Sequence, residues 1–436
     1  MADYKPQLIA QSGVALRETK VSTMDSTLSS RLRVLHLSRN FPNPVFPRLG
    51  LWTERLVRSC LPFCDAKVVA PVPYCPPLGL AQFRHFREIE AHAYERGLEV
   101  FHPRFITGPG TSWHNFESST YHLGVVRHID RLRESFPFDL LHAHFTYPDG
   151  VVGARLARKY NVPLIITEHA AWQPWLDEYP IVRRKALWAA RESQFIIAVS
   201  KSHRESILHF MRSPEKVRVI PNLVDGSVFR LPSNGNRVRA NTILFVGITR
   251  KVKGLDILLK AIRLIVDRGR DVKLVIVGEG FYKAYQREYQ VVEQMVRDLK
   301  LTDYVEFLGP KTPPEVAVQI QQSALLVLPS RRESFGAVLI EALACGTPVV
   351  ATRCGGPEDI VNNSVGLLVE KEDPAALAQG IEQVLDRREE YEAAKLRDYA
   401  LENFGAEKVS RRIADLYADA VANFRGTTSA TPVASK

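Results

Sequence analysis

The chain has 436 residues, 45% hydrophobic and 24% charged, a balance that fits an ordinary soluble protein with room for two domains. No apolar run nears the roughly 18–20 residues needed to span a bilayer, and no apolar secretory core opens the chain, so a cytoplasmic location is expected. The net charge of +10 is uneven: residues 1–220 hold 29 Lys and Arg against 20 Asp and Glu, and residues 221–436 hold 29 against 28. Such an excess suits nucleic acid, anionic lipid or an anionic substrate, or is no more than a solubilising surface.

Residues 1–30 are polar, rich in Ser and Thr and without periodicity, and read as a flexible tail. Short Val/Ile/Leu runs then recur at 34–37, 67–70, 140–143, 164–167, 195–199 and 217–220. They lack polar alternation, as strands buried on both faces do, and amphipathic stretches between them make repeated strand–helix–strand units. The five cysteines, Cys60, Cys64, Cys75, Cys345 and Cys354, form no Cys-x-x-Cys pair. Reduced structural thiols are expected rather than a zinc or disulfide framework.

Within this first domain (31–221) several loops after strands carry polar groups. Gly50 follows a Pro-rich stretch, Phe41 to Pro44. His142 and His144 alternate along a strand end with Asp149 beyond, a spacing that could ligate a metal, although none is expected. His169 ends another strand after Thr167 and Glu168. Residues 171–191 mix Trp172, Trp175, Tyr179 and Trp188 with Arg183, Arg184, Lys185 and Arg191. That mixture suits an anionic membrane surface, or a packed core with solvated bases.

Residues 222–241, with Gly226, Pro232, Gly235 and several Asn, read as a linker. A second series of runs follows at 242–246, 274–277, 305–308, 325–328, 349–351 and 367–369, giving a second domain over 242–410. A helix over 411–425 is a candidate to cross back to the first domain, and 426–436 reads as a tail. The fold class is α/β: two doubly wound, Rossmann-like domains facing across a cleft. Ligands bind such sheets beyond the carboxyl ends of the strands.

The most specific segment runs from Pro329 to Pro348. A strand ends at Pro329 and a helix follows from about Gly336. Gly346 suits a left-handed C-terminal cap, and Pro348 prevents continuation. The amides of Ser334, Phe335 and Gly336 then sit at a helix N-terminus, which suits a diphosphate. Glu333 and Glu341 are carboxylates at Glu-x7-Glu spacing, able to accept hydrogen bonds from sugar and ribose hydroxyls.

This element resembles the donor-site signature of the family-4 retaining glycosyltransferases, which have the GT-B fold. Phe245-Val246-Gly247, Lys253 to Leu259, Leu274 to Gly280, Cys354 to Glu358 and Val219 to Asn222 resemble other family segments in chain order. The resemblance implies that Lys253 meets the donor diphosphate, Glu341 the ribose and Glu333 the transferred sugar. His169 matches an active-site histidine, and Gly50 a loop beside the donor phosphates. One departure is Ile248, which stands where members often carry Arg after Gly247; Arg250 or Lys251 would supply that charge. The implied reaction moves a sugar from a nucleoside diphosphate sugar to an acceptor hydroxyl with retention, in polysaccharide or glycolipid synthesis. It needs no cofactor beyond that co-substrate. The expected acceptor is a saccharide or a lipid-linked one, at the inner membrane face if the anionic surface is a partner. The rivals are a sugar-phosphate synthase, a nucleotide-sugar hydrolase, and a basic lipid- or nucleic-acid-binding protein. No nucleic-acid motif is present.

Overall fold

A computed structural model describes residues 31–74, 81–95, 97–108, 113–172, 175–232, 239–278 and 283–429. The first half contains strands β1 (Arg33–Leu37), β2 (Asp65–Val69), β3 (Val72–Pro73), β4 (His92–Glu95), β5 (Leu98–Phe101), β6 (Arg104–Phe105), β7 (Leu140–His144), β8 (Leu164–Glu168), β9 (Phe195–Ala198) and β10 (Val217–Val219). Eight of them form one sheet in the order β10-β9-β8-β7-β1-β2-β5-β4. All its pairs are parallel except the β4–β5 hairpin. Helices α1 (Leu51–Cys60), α2 (His114–Ser135), α3 (Val151–Tyr160), α4 (Trp175–Glu178), α5 (Pro180–Glu192) and α6 (Lys201–Phe210) lie between the strands in sequence.

The second half repeats the plan. Its strands β11 (Arg239–Val246), β12 (Lys273–Val277), β13 (Val305–Gly309), β14 (Ser323–Leu328), β15 (Val349–Thr352) and β16 (Gly366–Val369) form a parallel sheet ordered β13-β12-β11-β14-β15-β16. Helices α7 (Leu255–Asp267), α8 (Lys283–Asp298), α9 (Pro313–Gln322), α10 (Ala337–Ala344), α11 (Pro374–Asp386) and α12 (Ala393–Phe404) accompany it. The strands are apolar because both faces are covered: every residue of β7 and β14 is buried. Each sheet reverses its winding beside its first strand, between β1 and β7 and between β11 and β14. The crevices beyond those strand ends are where a doubly wound sheet takes a ligand.

A last helix, α13 (Ala406–Ser429), returns to the first half. Its Val409, Ile413 and Tyr417 share a buried cluster with Val34, Leu140 and Ile165. The helix starts before residue 411 and runs past 426, so part of the expected tail is helical. β11 likewise begins at Arg239, inside the expected linker. The β4–β5 hairpin was not expected, since His92-Ala93-Tyr94-Glu95 alternates in polarity at a sheet edge and offers no buried run. Residues 1–30, Cys75 and the end of the tail from 430 lie outside the described residues.

Candidate active site

The second half supplies one wall. After β14 the chain turns through Pro329 to Phe335 and enters α10, with Gly336 at the N-cap in the left-handed region, φ 96°. Ser334, Phe335 and Gly336 therefore precede the first turn of α10, and Gly346 follows its end at φ 78°. Glu333 lies on the loop: its Oε1 receives Lys253 Nζ at 2.6 Å and Ser330 Oγ at 2.7 Å. Lys253 reaches it from a tight 3-10 turn, Lys251–Lys253, closed by Gly254 at φ 71°. A Cβ on Gly254 would lie 1.9 Å from the Pro329 carbonyl oxygen, so only glycine lets the two loops meet. Arg331 braces them further, its two Nη atoms each 2.8 Å from an Asp256 carboxylate oxygen.

Gly247 follows β11, its N–H donating to the Val277 carbonyl at 2.9 Å. Ile248 is half-buried and Arg250 exposed. The Lys251 backbone N–H donates to Glu288 at 2.5 Å. Among the described residues, Lys253 is the cation hydrogen-bonded to Glu333.

The first half supplies the facing wall. Gly50, φ 69°, opens α1, and a Cβ there would strike the Asn40 carbonyl oxygen at 1.9 Å. From α1, Arg55 Nη1 crosses to Glu341 Oε1 at 2.6 Å. Burial pushes the Glu341 carboxyl up, and Arg55 opposes that rise. Ser200 Oγ donates to the Ser334 carbonyl at 2.7 Å, and the Lys201 N–H to Asp359 at 2.6 Å. The structure thus brings Glu333, Lys253, Ser334 and Gly336 together. Glu341 stands one turn along α10, tied to the opposite wall.

His169 follows β8. Its Nε2 is 3.3 Å from His144 Nδ1, and His144 Nε2 is 3.1 Å from His36 Nδ1. Glu168 fixes the loop by accepting from the N–H groups of Thr146, His169 and Ala170 and from Trp172 Nε1, at 2.9 to 3.0 Å. Burial drives His169 and His36 down to about 3, so both rings are neutral near pH 7. Beside them, a cavity of about 170 Å³ opens at the β1/β7 switch point, lined by Arg39, His114, Glu117, Phe145, Tyr147 and Asp149. Arg39 pairs with Glu117. Asp149 accepts from the Arg39 N–H at 2.6 Å and Tyr121 OH at 2.9 Å, and burial raises it to about 7.

Two sequence groupings change. Asp149 faces Arg39 and Tyr121; the nitrogens that cluster within 4.8 Å belong to His36, His142 and His144. His142 has both nitrogens occupied, Nδ1 2.7 Å from Tyr417 OH and Nε2 2.7 Å from Thr167 Oγ1. A metal would have to break one of those bonds, so the donor set fits a satisfied core histidine better than a ligand. Three aromatics of 171–191 face the interior: Trp172 is 2% exposed, and Tyr179 and Trp188 pack on the same cluster. The Trp175 side chain lies outside the described residues. Lys185 turns inward to the Asn115 carbonyl, and Arg183 pairs with Asp177 on the surface.

Sequence reasoning missed Arg55, Ser200, Ser330 and His36. Arg55, Ser200 and His36 act through partners far away in the chain, which no local spacing marks, whereas Ser330 bonds Glu333 three residues on, inside the segment already singled out.

Residues 79–227 match the family model described as Glycosyltransferase Family 4, and residues 231–401 the one described as Glycosyl transferases group 1. An uncharacterized glycosyltransferase of Methanocaldococcus jannaschii is 31% identical over 332 residues, which cover 74% of this chain and 89% of the relative. The chain belongs to glycosyltransferase family 4. Another family relative, D-inositol 3-phosphate glycosyltransferase 1 of Catenulispora acidiphila, is 29% identical over 413 residues, 87% of this chain and 89% of its own. Among solved structures, sucrose-phosphate synthase of Thermosynechococcus elongatus superposes with a TM-score of 0.74 at 20% identity, over 90% of this chain and all of that one. Anabaena HepE in complex with UDP-glucose gives 0.68 at 20% identity, over 89% and 100%. The architecture is therefore the GT-B fold.

Proposed function

We propose that this glycosyltransferase moves a sugar from a nucleoside diphosphate sugar to an acceptor hydroxyl with retention of configuration. The observation that carries the reading is the Lys253–Glu333 pair, 2.6 Å apart, set just before the N-terminus of α10. Free N–H groups and the positive end of a helix dipole suit a diphosphate. Lys253 adds a full charge where negative charge grows as the diphosphate leaves. Glu333 then turns to the hydroxyls of the transferred sugar, and Glu341 receives the ribose. Ser334, Phe335 and Gly336 frame the phosphates, with Gly50 and Gly247 permitting close approach from the two walls. Arg250 is an outer cation in place of the arginine missing at Ile248. That Anabaena HepE, similar in fold, was solved with UDP and with UDP-glucose supports a nucleotide-sugar donor.

We assign the acceptor to the cavity lined by Phe145, whose ring packs against His169. His169 is neutral there; it can share a hydrogen bond with the sugar but cannot supply a proton near pH 7. In a front-face displacement the glycosidic C–O bond to the diphosphate breaks as the acceptor oxygen bonds to the same carbon. The acceptor proton passes to the departing diphosphate oxygen. No protein nucleophile is needed, and the chain's contribution is positioning and charge stabilisation.

We place the enzyme in the cytoplasm, acting on a saccharide or lipid-linked acceptor in polysaccharide or glycolipid synthesis. The basic excess of residues 1–220 supports electrostatic contact with anionic lipid. Among the described residues no helix is long and apolar enough to cross a membrane. Flotation with anionic vesicles at low salt, absent with neutral ones, is the expected result; equal flotation with both removes the lipid contact. For the reaction, a thermal-shift screen of nucleoside diphosphate sugars should raise the melting temperature with the true donor. Proton NMR of the product should then show the donor's anomeric configuration. An inverted product contradicts the mechanism.

A further inference from the structure

We propose that Arg55, a residue of the first half, is a positioning residue of the donor site, holding the Glu341 carboxylate in place for ribose so that the site is completed across the cleft. The inference rests on the reading of Glu341 as the ribose partner.

The geometry is specific. Arg55 lies five residues past Gly50, whose left-handed backbone and missing side chain let α1 start against the Asn40 carbonyl. One turn into α1 the Arg55 side chain leaves the first half. Its Nη1 meets Glu341 Oε1 at 2.6 Å, and its guanidinium carbon lies 5.3 Å from the centre of the Phe229 ring. Phe229 is buried in the segment that joins the two halves. The arginine is thus held between an aromatic face and a carboxylate, a placement that lysine reproduces only as a point charge. Only 13% of the Glu341 side chain and 20% of the Arg55 side chain are exposed.

A carboxylate so enclosed is costly without a partner. Around Glu341, α1 presents Arg55 and the end of α10 presents the neutral thiol of Cys345. From α12, Arg397 is committed to the carbonyls of Gly226, Phe229 and Ala344. Arg55 is therefore the charge that opposes the effect of burial on this carboxyl. It occupies Oε1 from one side, and a carboxylate retains lone pairs for two further hydroxyl donors. Ribose and Arg55 then share Glu341, so donor binding and contact between the halves strengthen one another.

Without Arg55, burial acts on Glu341 unopposed and its protonation moves toward neutral pH. The test is calorimetric titration with UDP-glucose from pH 6 to pH 8. This donor has no phosphate monoester, whose second ionisation near pH 6 would confuse the reading. The wild type should bind with a flat dissociation constant across that range. Arg55→Ala should bind more weakly as pH falls, by up to about tenfold per pH unit. Arg55→Lys should restore most of the flatness, and Arg55→Ala with Glu341→Gln should lose the slope. Wild-type affinity in Arg55→Ala, or a loss equal at every pH, overturns the proposal. The ribose reading fails separately: Glu341→Ala binding as tightly as wild type sinks it whatever Arg55 does. Absence of wild-type binding to both UDP-glucose and GDP-glucose counts against the donor site itself.

Discussion

Lys253 Nζ and Ser330 Oγ converge on one oxygen of Glu333, at 2.6 and 2.7 Å. The other wall has a parallel in Arg55 on Glu341. Both carboxylates of the Glu-x7-Glu element are thus paired with cations, one from each half of the molecule. In the proposed reaction the donor enters this arrangement by offering Lys253 a diphosphate and Glu333 a sugar hydroxyl.

Lys253 should matter more in the transition state than in the ground state, because the leaving diphosphate gains charge as the bond breaks. Lys253→Met is expected to lower kcat by about 100-fold, the scale of losing one pre-placed stabilising group. Steady-state kinetics check it. A raised KM with unchanged kcat would show uniform binding and remove the role.

His169 should stay neutral throughout the working range, since burial holds it at about 3. Its protonation therefore contributes no fall in kcat/KM between pH 8 and pH 5.5. A descending limb near pH 6.5 that disappears in His169→Asn would contradict this placement. His144→Asn removes the ring that orients it and should lower kcat without changing donor KM.

Turnover should survive chelation. His142 spends both nitrogens on Tyr417 and Thr167, and Lys253 with the α10 terminus supplies the charge a metal would otherwise bring. Activity assayed in EDTA and after adding back Mg²⁺, Mn²⁺ or Zn²⁺ tests this. Loss in EDTA with recovery on one ion would make the His36, His142 and His144 cluster a metal site.

The buried histidines also set a stability profile. His36 and His169 hold at about 3 in the fold against an ordinary 6.5, and His142 and His144 are held well below it by burial and neighbouring imidazoles. Their depressed values mean that the unfolded chain binds more protons below pH 6.5, so stability falls as pH drops from there toward 3. Asp149, raised to about 7, works in the opposite direction between 7 and its ordinary range. Urea denaturation should show a lower midpoint at pH 5 than at pH 7.5, and Asp149→Asn should steepen the decline. A midpoint that holds or rises toward pH 5 contradicts it.

Much of the architecture was legible because the strands are buried on both faces. Val/Ile/Leu runs such as 325–328 and 349–351 became β14 and β15 within a residue or two. The turn at Gly336, φ 96°, and the stop at Gly346, φ 78°, were visible for the same local reason: backbone that only glycine adopts freely marks itself in the sequence. Edge elements were not visible. β4 is polar on alternate residues, and α13 continues through a stretch whose composition resembles a tail. Within the candidate site, the strand–turn–helix element marks Glu333 and Gly336, and Lys253 is singled out by the family resemblance alone. Arg55 could not be read, because its significance depends on Glu341, 286 residues away. The aromatics of 171–191 left two readings open, because composition cannot say which face of a segment turns inward; Trp172 proves to be core, and Trp188 on α5 packs against the same cluster.

The most direct test of the donor site is a crystal structure of the protein with UDP-glucose bound. The account predicts ribose hydroxyls on Glu341, the diphosphate between Lys253 and the amides leading into α10, and the glucose beside Glu333 with His169 across the cleft. A nucleotide seated in the cavity of Arg39 and Asp149, or one whose phosphates avoid Lys253, would contradict it.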